Sequence, residues 1–116
     1  MYYTSIEQSE KLVELGLDND TSDMYFIFDP FVGDIAGIGI GKPEEERDIP
    51  CWSLGRLEEL LPKKINGEKL HIYLNYWSEW KYTVGYGNDD FENGTLFDSI
   101  LECLMWVLEN NLFKKE

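Results

Sequence analysis

Histidine and cysteine are scarce in this chain of 116 residues. It contains one histidine, His71, and two cysteines, Cys51 and Cys103. A lone histidine without paired cysteines nearby argues against a transition-metal site. Cys51 lies between Pro50 and Trp52, and Cys103 precedes the apolar run from Leu104. Two cysteines do not make the disulfide framework of a secreted domain, so we interpret them as small core side chains.

Long apolar runs are also missing from the sequence. No run approaches the roughly 20 residues that a membrane-spanning helix needs. Residues 1–4 carry neither the basic stretch nor the apolar segment of a signal peptide. We therefore expect a cytoplasmic protein that does not enter a membrane.

Basic residues are outnumbered by acidic ones. The chain has 10 lysines and arginines against 23 aspartates and glutamates, which gives a net charge of −13. This surplus repels phosphate backbones, so we expect no direct binding to nucleic acid, whereas a basic protein partner would be attracted. With 43% hydrophobic residues, the chain can bury a core, and we predict a single domain over residues 1–116.

Three segments have the pattern of amphipathic helices. Thr4 and Glu7 form a capping box at the start of the first. Ser53 caps a short second helix that Pro62 stops, with a large apolar residue, Trp52, as a core anchor just before the cap. Thr95 caps a long third helix. The apolar positions of the third helix recur every three or four residues: Phe97, Ile100, Leu101, Leu104, Val107 and Leu108.

The segment around the second helix carries a resemblance to known sequences. Residues 50–62 have the pattern P-x-W-S-L-G-x-L-x-E-L-L-P, and Tyr3–Ser9 and the C-terminal helix add to it. The chain thereby resembles small uncharacterised acidic proteins of Bacteroidetes bacteria and their phages or mobile elements, although residues 29–47 have no counterpart. No activity is established for such proteins, so the resemblance implies no functional residue.

Four segments have strand patterns. Met24–Phe28 is continuously apolar and predicts an internal strand. Ile35–Gly41 alternates apolar residues with glycine, which indicates close approach by another element or a weak edge strand. Leu70–Trp77 and Trp80–Tyr86 predict a hairpin. The order α-β-β-α-β-β-α predicts an α+β fold of two layers, with three helices and a mostly antiparallel sheet of about four strands.

Two motifs suggest ligand chemistry but lack a necessary part. The acids from Asp18 to Asp29 have the spacing of a calcium loop, but Asp23 stands where the sharp turn needs glycine. Gly37–Lys42 suggests a phosphate loop, but its frame lacks one glycine and the hydroxyl residue. We expect neither a metal nor a cofactor.

Two arrangements leave an enzyme open. Residues 87–94 predict an acidic loop, and a pocket that brought two of Asp89, Asp90 and Glu92 beside His71 would favour a small hydrolase. A Cys51–His71 pair is the other arrangement, without an evident oxyanion hole or orienting third residue. The absence of a complete catalytic constellation predicts a protein that is not an enzyme.

The hairpin carries more aromatic residues than one sheet face normally needs. Cross-strand pairing and core packing explain most of them, whereas an exposed group would anchor a protein partner. Tyr73 and Trp77 lie opposite the Leu/Ile face of their strand. Together with the neighbouring His71, they are the candidate interaction surface.

These features favour a non-enzymatic protein-interaction or accessory protein, which the resemblance would place in a phage or mobile element. Three alternatives stay open. The first is a DNA mimic that inhibits a nucleic-acid-binding protein, the second is the small hydrolase with an acidic site, and the third is a structural subunit, for example a homodimer, that self-associates through the hairpin. A monomeric mass in solution would argue against the third.

Overall fold

The computed structural model describes residues 2–76 and 78–112. It confirms the α+β class, with three helices and antiparallel strands. The strands form two sheets, of three and four strands, where the sequence predicts one sheet of about four. The chain divides into two compact units, Met1–Arg56 and Leu57–Glu116, and the single-domain organisation stays a prediction. Within the described residues, no helix is long and apolar enough to cross a membrane.

The first unit is built around a three-stranded sheet of order β2-β1-β3. Its elements are α1 (Ile6–Glu14), a short 3-10 helix (Asn19–Thr21), β1 (Met24–Asp29), β2 (Asp34–Ile40) and β3 (Ile49–Cys51). Both strand pairs are antiparallel, so β1 is internal as predicted and β2 is an edge strand. Pairing with β1 makes residues 49–51 a short strand, which is not among the four predicted strand segments. The helix α2 (Leu54–Leu60) follows and carries the boundary between the units.

The first helix begins one residue later than its sequence predicts. Ser5 is the N-cap, because its Oγ accepts the N–H of Gln8 at 3.1 Å and the Gln8 side chain accepts the N–H of Ser5 at 2.9 Å. Thr4 is fully buried. Its Oγ1 lies 2.7 Å from the hydroxyl of Ser9 and accepts the N–H of Trp52 at 3.1 Å. The predicted capping box at Thr4 is therefore wrong, since tertiary contacts occupy the threonine hydroxyl.

The start of α2 agrees with its sequence. The Ser53 hydroxyl accepts the N–H of Arg56 at 3.2 Å, which confirms the predicted cap. That hydroxyl also donates to the carboxylate of Asp23. Trp52, just before the cap, is fully buried, and its indole N–H donates to Thr21 Oγ1 at 3.1 Å. The core-anchor interpretation of Trp52 is confirmed.

Turn chemistry explains the acidic segment that follows α1. Asp18 Oδ1 accepts the N–H of Asp20 at 2.9 Å, and Ser22 Oγ donates to the carbonyl of Asn19 at 2.9 Å. Over the described ranges, no group of three or more histidine, cysteine, aspartate or glutamate side chains could hold a metal ion. The calcium-loop motif therefore gains no support from the geometry.

The second unit contains a four-stranded antiparallel sheet of order β4-β5-β6-β7, followed by a helix. Its elements are β4 (Lys64–Ile65), β5 (Glu68–Tyr76), β6 (Trp80–Tyr86), β7 (Asp89–Asn93) and α3 (Leu96–Glu109). The predicted hairpin is confirmed, in the register that pairs Leu70 with Tyr86 and Tyr76 with Trp80. The predicted acidic loop over residues 87–94 is wrong, because residues 89–93 form β7.

The helix α3 supplies much of the core of the second unit. Thr95 Oγ1 accepts the N–H of Asp98 at 3.1 Å, which confirms the predicted cap. The indole ring of Trp106 lies 5.5 Å from the ring of Phe91 on β7 and 6.4 Å from that of Tyr86 on β6. All six predicted apolar positions are buried: Phe97, Ile100, Leu101, Leu104, Val107 and Leu108.

Candidate functional site

A histidine–carboxylate pair spans β6, one of the two inner strands of the second sheet. The register places His71 on β5, Gly85 on β6 and Asp90 on β7 in one row. Directly opposed residues share a face of the sheet, and the glycine between the two side chains leaves a gap. The imidazole Nε2 of His71 spans this gap and lies 2.5 Å from Asp90 Oδ1. The structure thus brings together a predicted site residue and one of the three candidate acids.

The gap at Gly85 is required by the backbone as well as by the side chains. A Cβ on Gly85 would lie 2.1 Å from the carbonyl oxygen of Asp89 and 2.9 Å from the Cα of Asp90. Real Cβ atoms do not approach backbone atoms so closely. Glycine at this position therefore permits both the close approach of β7 and the contact between His71 and Asp90.

The next row on the same face contains Tyr73, Thr83 and Glu92. The ring of Tyr73 lies 5.5 Å from that of His71 and is 47% exposed. Thr83 donates its hydroxyl to Glu92 Oε2 at 3.4 Å and is only 2% exposed. The predicted neighbours Tyr73 and His71 are thus side by side and reachable from solvent. The third predicted residue, Trp77, lies outside the described residues.

This face offers an oriented imidazole and two carboxylates. A carboxylate that holds an imidazole fixes the ring orientation, as a catalytic base requires. Asp90 and Glu92 share the face, whereas Asp89 alternates to the other side of β7. The hydroxyl of Thr83 is buried and already donates to Glu92, so it is not presented as a nucleophile. Catalysis of hydrolysis would need a functional group in addition to the side chains of these two rows.

The opposite face of the hairpin exposes a second set of apolar side chains. Leu74 is 47% exposed, Tyr76 57% and Trp80 60%, and we call these three residues the hairpin cluster. The rings of Tyr76 and Trp80, which are paired across the strands, have centroids 5.0 Å apart. Side chains on this face become buried further along β6, where Val84 is fully buried. The apolar face therefore extends beyond the part that is covered in the folded chain.

Sequence reasoning missed the hairpin cluster for a physical reason. Strand alternation correctly assigns Leu74 and Tyr76 to the apolar face, and that assignment led to the expectation that they are buried. How much of the face is covered depends on what packs against it. The hydroxyl of Ser99, in the first turn of α3, donates to the Tyr82 carbonyl at 2.7 Å, and this contact places the helix start beside the middle of β6. No local pattern in the hairpin contains this information.

The two cysteines are buried and unpaired, which confirms their interpretation as core side chains. Burial raises the pKa of Cys51, hydrogen bonding with Thr4 lowers it, and the charge of Asp23 raises it. Burial raises the pKa of Cys103 to about 12, and Asp90 and Glu102 add to this. Both thiols are therefore poor nucleophiles. Cys51 is hydrogen-bonded to Thr4, and His71 is hydrogen-bonded to Asp90. Each of the two residues in the Cys51–His71 alternative therefore has a different partner.

The thiol reagent DTNB should label neither cysteine of the folded protein within the time it needs to label both cysteines of the urea-unfolded protein. With a pKa of about 12 against an ordinary 9.0, the thiolate population of Cys103 is about 1,000-fold lower. Tyr2, which is 80% exposed, provides the control, because Tyr2→Cys should react in the folded protein as rapidly as an unfolded thiol. Rapid labelling of one equivalent in the unsubstituted folded protein would contradict the buried assignment.

Comparisons of the chain with protein-family models, with curated proteins and with solved structures find no match. Functional inference therefore depends on the geometry of this chain and on its charge.

Proposed function

We propose that this chain is a non-enzymatic interaction protein that binds a basic protein partner through the hairpin cluster. The observation that carries the proposal is the exposure of Tyr76 and Trp80, at 57% and 60%, on a sheet face that is buried further along, at Val84 and Tyr86. Trp and Tyr are the residue types that most often anchor protein interfaces. Their rings supply a large contact area with few rotatable bonds.

Net charge supports the choice of a basic partner. The chain carries a net charge of −13, and a positively charged surface would be drawn to it over several ångströms of solvent. Such attraction mainly accelerates association and selects against acidic partners, while the desolvated aromatic anchors determine the lifetime of the complex. The partner should therefore have a basic rim around an apolar groove. The resemblance supports an accessory role in a phage or mobile element.

The proposal predicts a salt-sensitive complex that depends on two aromatic residues. Tagged full-length protein is used to isolate partners from a Bacteroidetes lysate, and the affinity of the purified partner is then measured by calorimetry. Tyr76→Ala and Trp80→Ala should each weaken binding by about tenfold or more, the usual effect of truncating an interface anchor. Raising the salt concentration from about 0.05 to 0.5 M should weaken binding further, because it screens the attraction.

Two control variants locate the binding face. Tyr2→Ala removes a more exposed ring, at 80%, from the first unit and should leave the affinity unchanged. Tyr73→Ala removes the exposed ring on the opposite face of β5 and tests the interaction surface that the sequence predicts. Loss of binding with Tyr73→Ala alone would overturn the assignment to the hairpin cluster. A partner that is acidic, or whose affinity does not fall with salt, would overturn the electrostatic part of the proposal.

A further inference from the structure

We draw no further inference here: the strongest candidate, the apolar outer edge of β2 at Ile38 and Ile40, carries nothing because nothing in the structure shows what covers it.

Discussion

Replacing Leu104 with aspartate should abolish the cooperative unfolding transition of the second unit. Leu104 is fully buried on α3, and an unpaired carboxylate at such a position would be removed from water without a compensating partner. Loss of the leucine side chain alone costs about 2–5 kcal/mol, and the buried charge adds to this. The total approaches the whole stability of a typical domain, about 5–15 kcal/mol. Circular dichroism during a thermal melt measures the outcome.

The control for this experiment keeps the volume and removes the charge. Leu104→Met is a volume-conserving change that should cost less than about 1.5 kcal/mol and retain the cooperative melt. If Leu104→Asp also melted cooperatively within a few degrees of the parent, this face of α3 would not be core. The packing of Trp106 against Phe91 and Tyr86 would then need a different explanation.

Gly85→Ala should destabilise the second sheet by about 3 kcal/mol or more, at the upper end of the usual cost of overpacking. The added methyl would lie 2.1 Å from the carbonyl oxygen of Asp89, and a backbone atom cannot rotate aside as a side chain can. The strand β7 would have to move away from β6. The contact between His71 and Asp90 across the glycine should then be lost. Urea titration measures the stability, and the imidazole NMR signals of His71 report the local change.

Gly55→Ala provides the matched control for the Gly85 experiment. A Cβ on Gly55 meets no atom within 4 Å, and the residue lies within α2. Alanine has the higher helix propensity, so this change should be neutral or stabilise the chain by up to about 1 kcal/mol. If Gly85→Ala were as well tolerated as Gly55→Ala, the tight approach of β7 would not be a feature of the protein in solution.

The sequence predicted the elements that have strong local signals. Ser53 and Thr95 are caps because a hydroxyl can accept a first-turn N–H wherever the helix lies. The stripe of α3 indicates which side chains are buried, and the alternation of β5 and β6 indicates which side chains share a face, since the period of each pattern matches the geometry of its element. These features required no knowledge of the rest of the chain.

Elements that depend on a distant partner were not predicted. β7 is rich in acidic residues and has little strand propensity, yet β6 supplies its hydrogen bonds and Trp106 packs against Phe91. Thr4 has the sequence of a helix cap, but its hydroxyl accepts the N–H of Trp52, a residue far along the chain. In both cases a non-local contact outweighed a local preference.

The sequence by itself determined that this is an acidic α+β protein with buried cysteines, three helices and an aromatic hairpin. Composition, residue spacing and capping patterns are local properties, so they can be inferred from the sequence alone. Only the tertiary structure decided that His71 meets Asp90 across Gly85 and that Tyr76 and Trp80 lie beyond the covered part of their sheet. The proposed function rests on the second of these features. Both features arise from strand register and from where a helix packs, which residues adjacent in sequence do not encode.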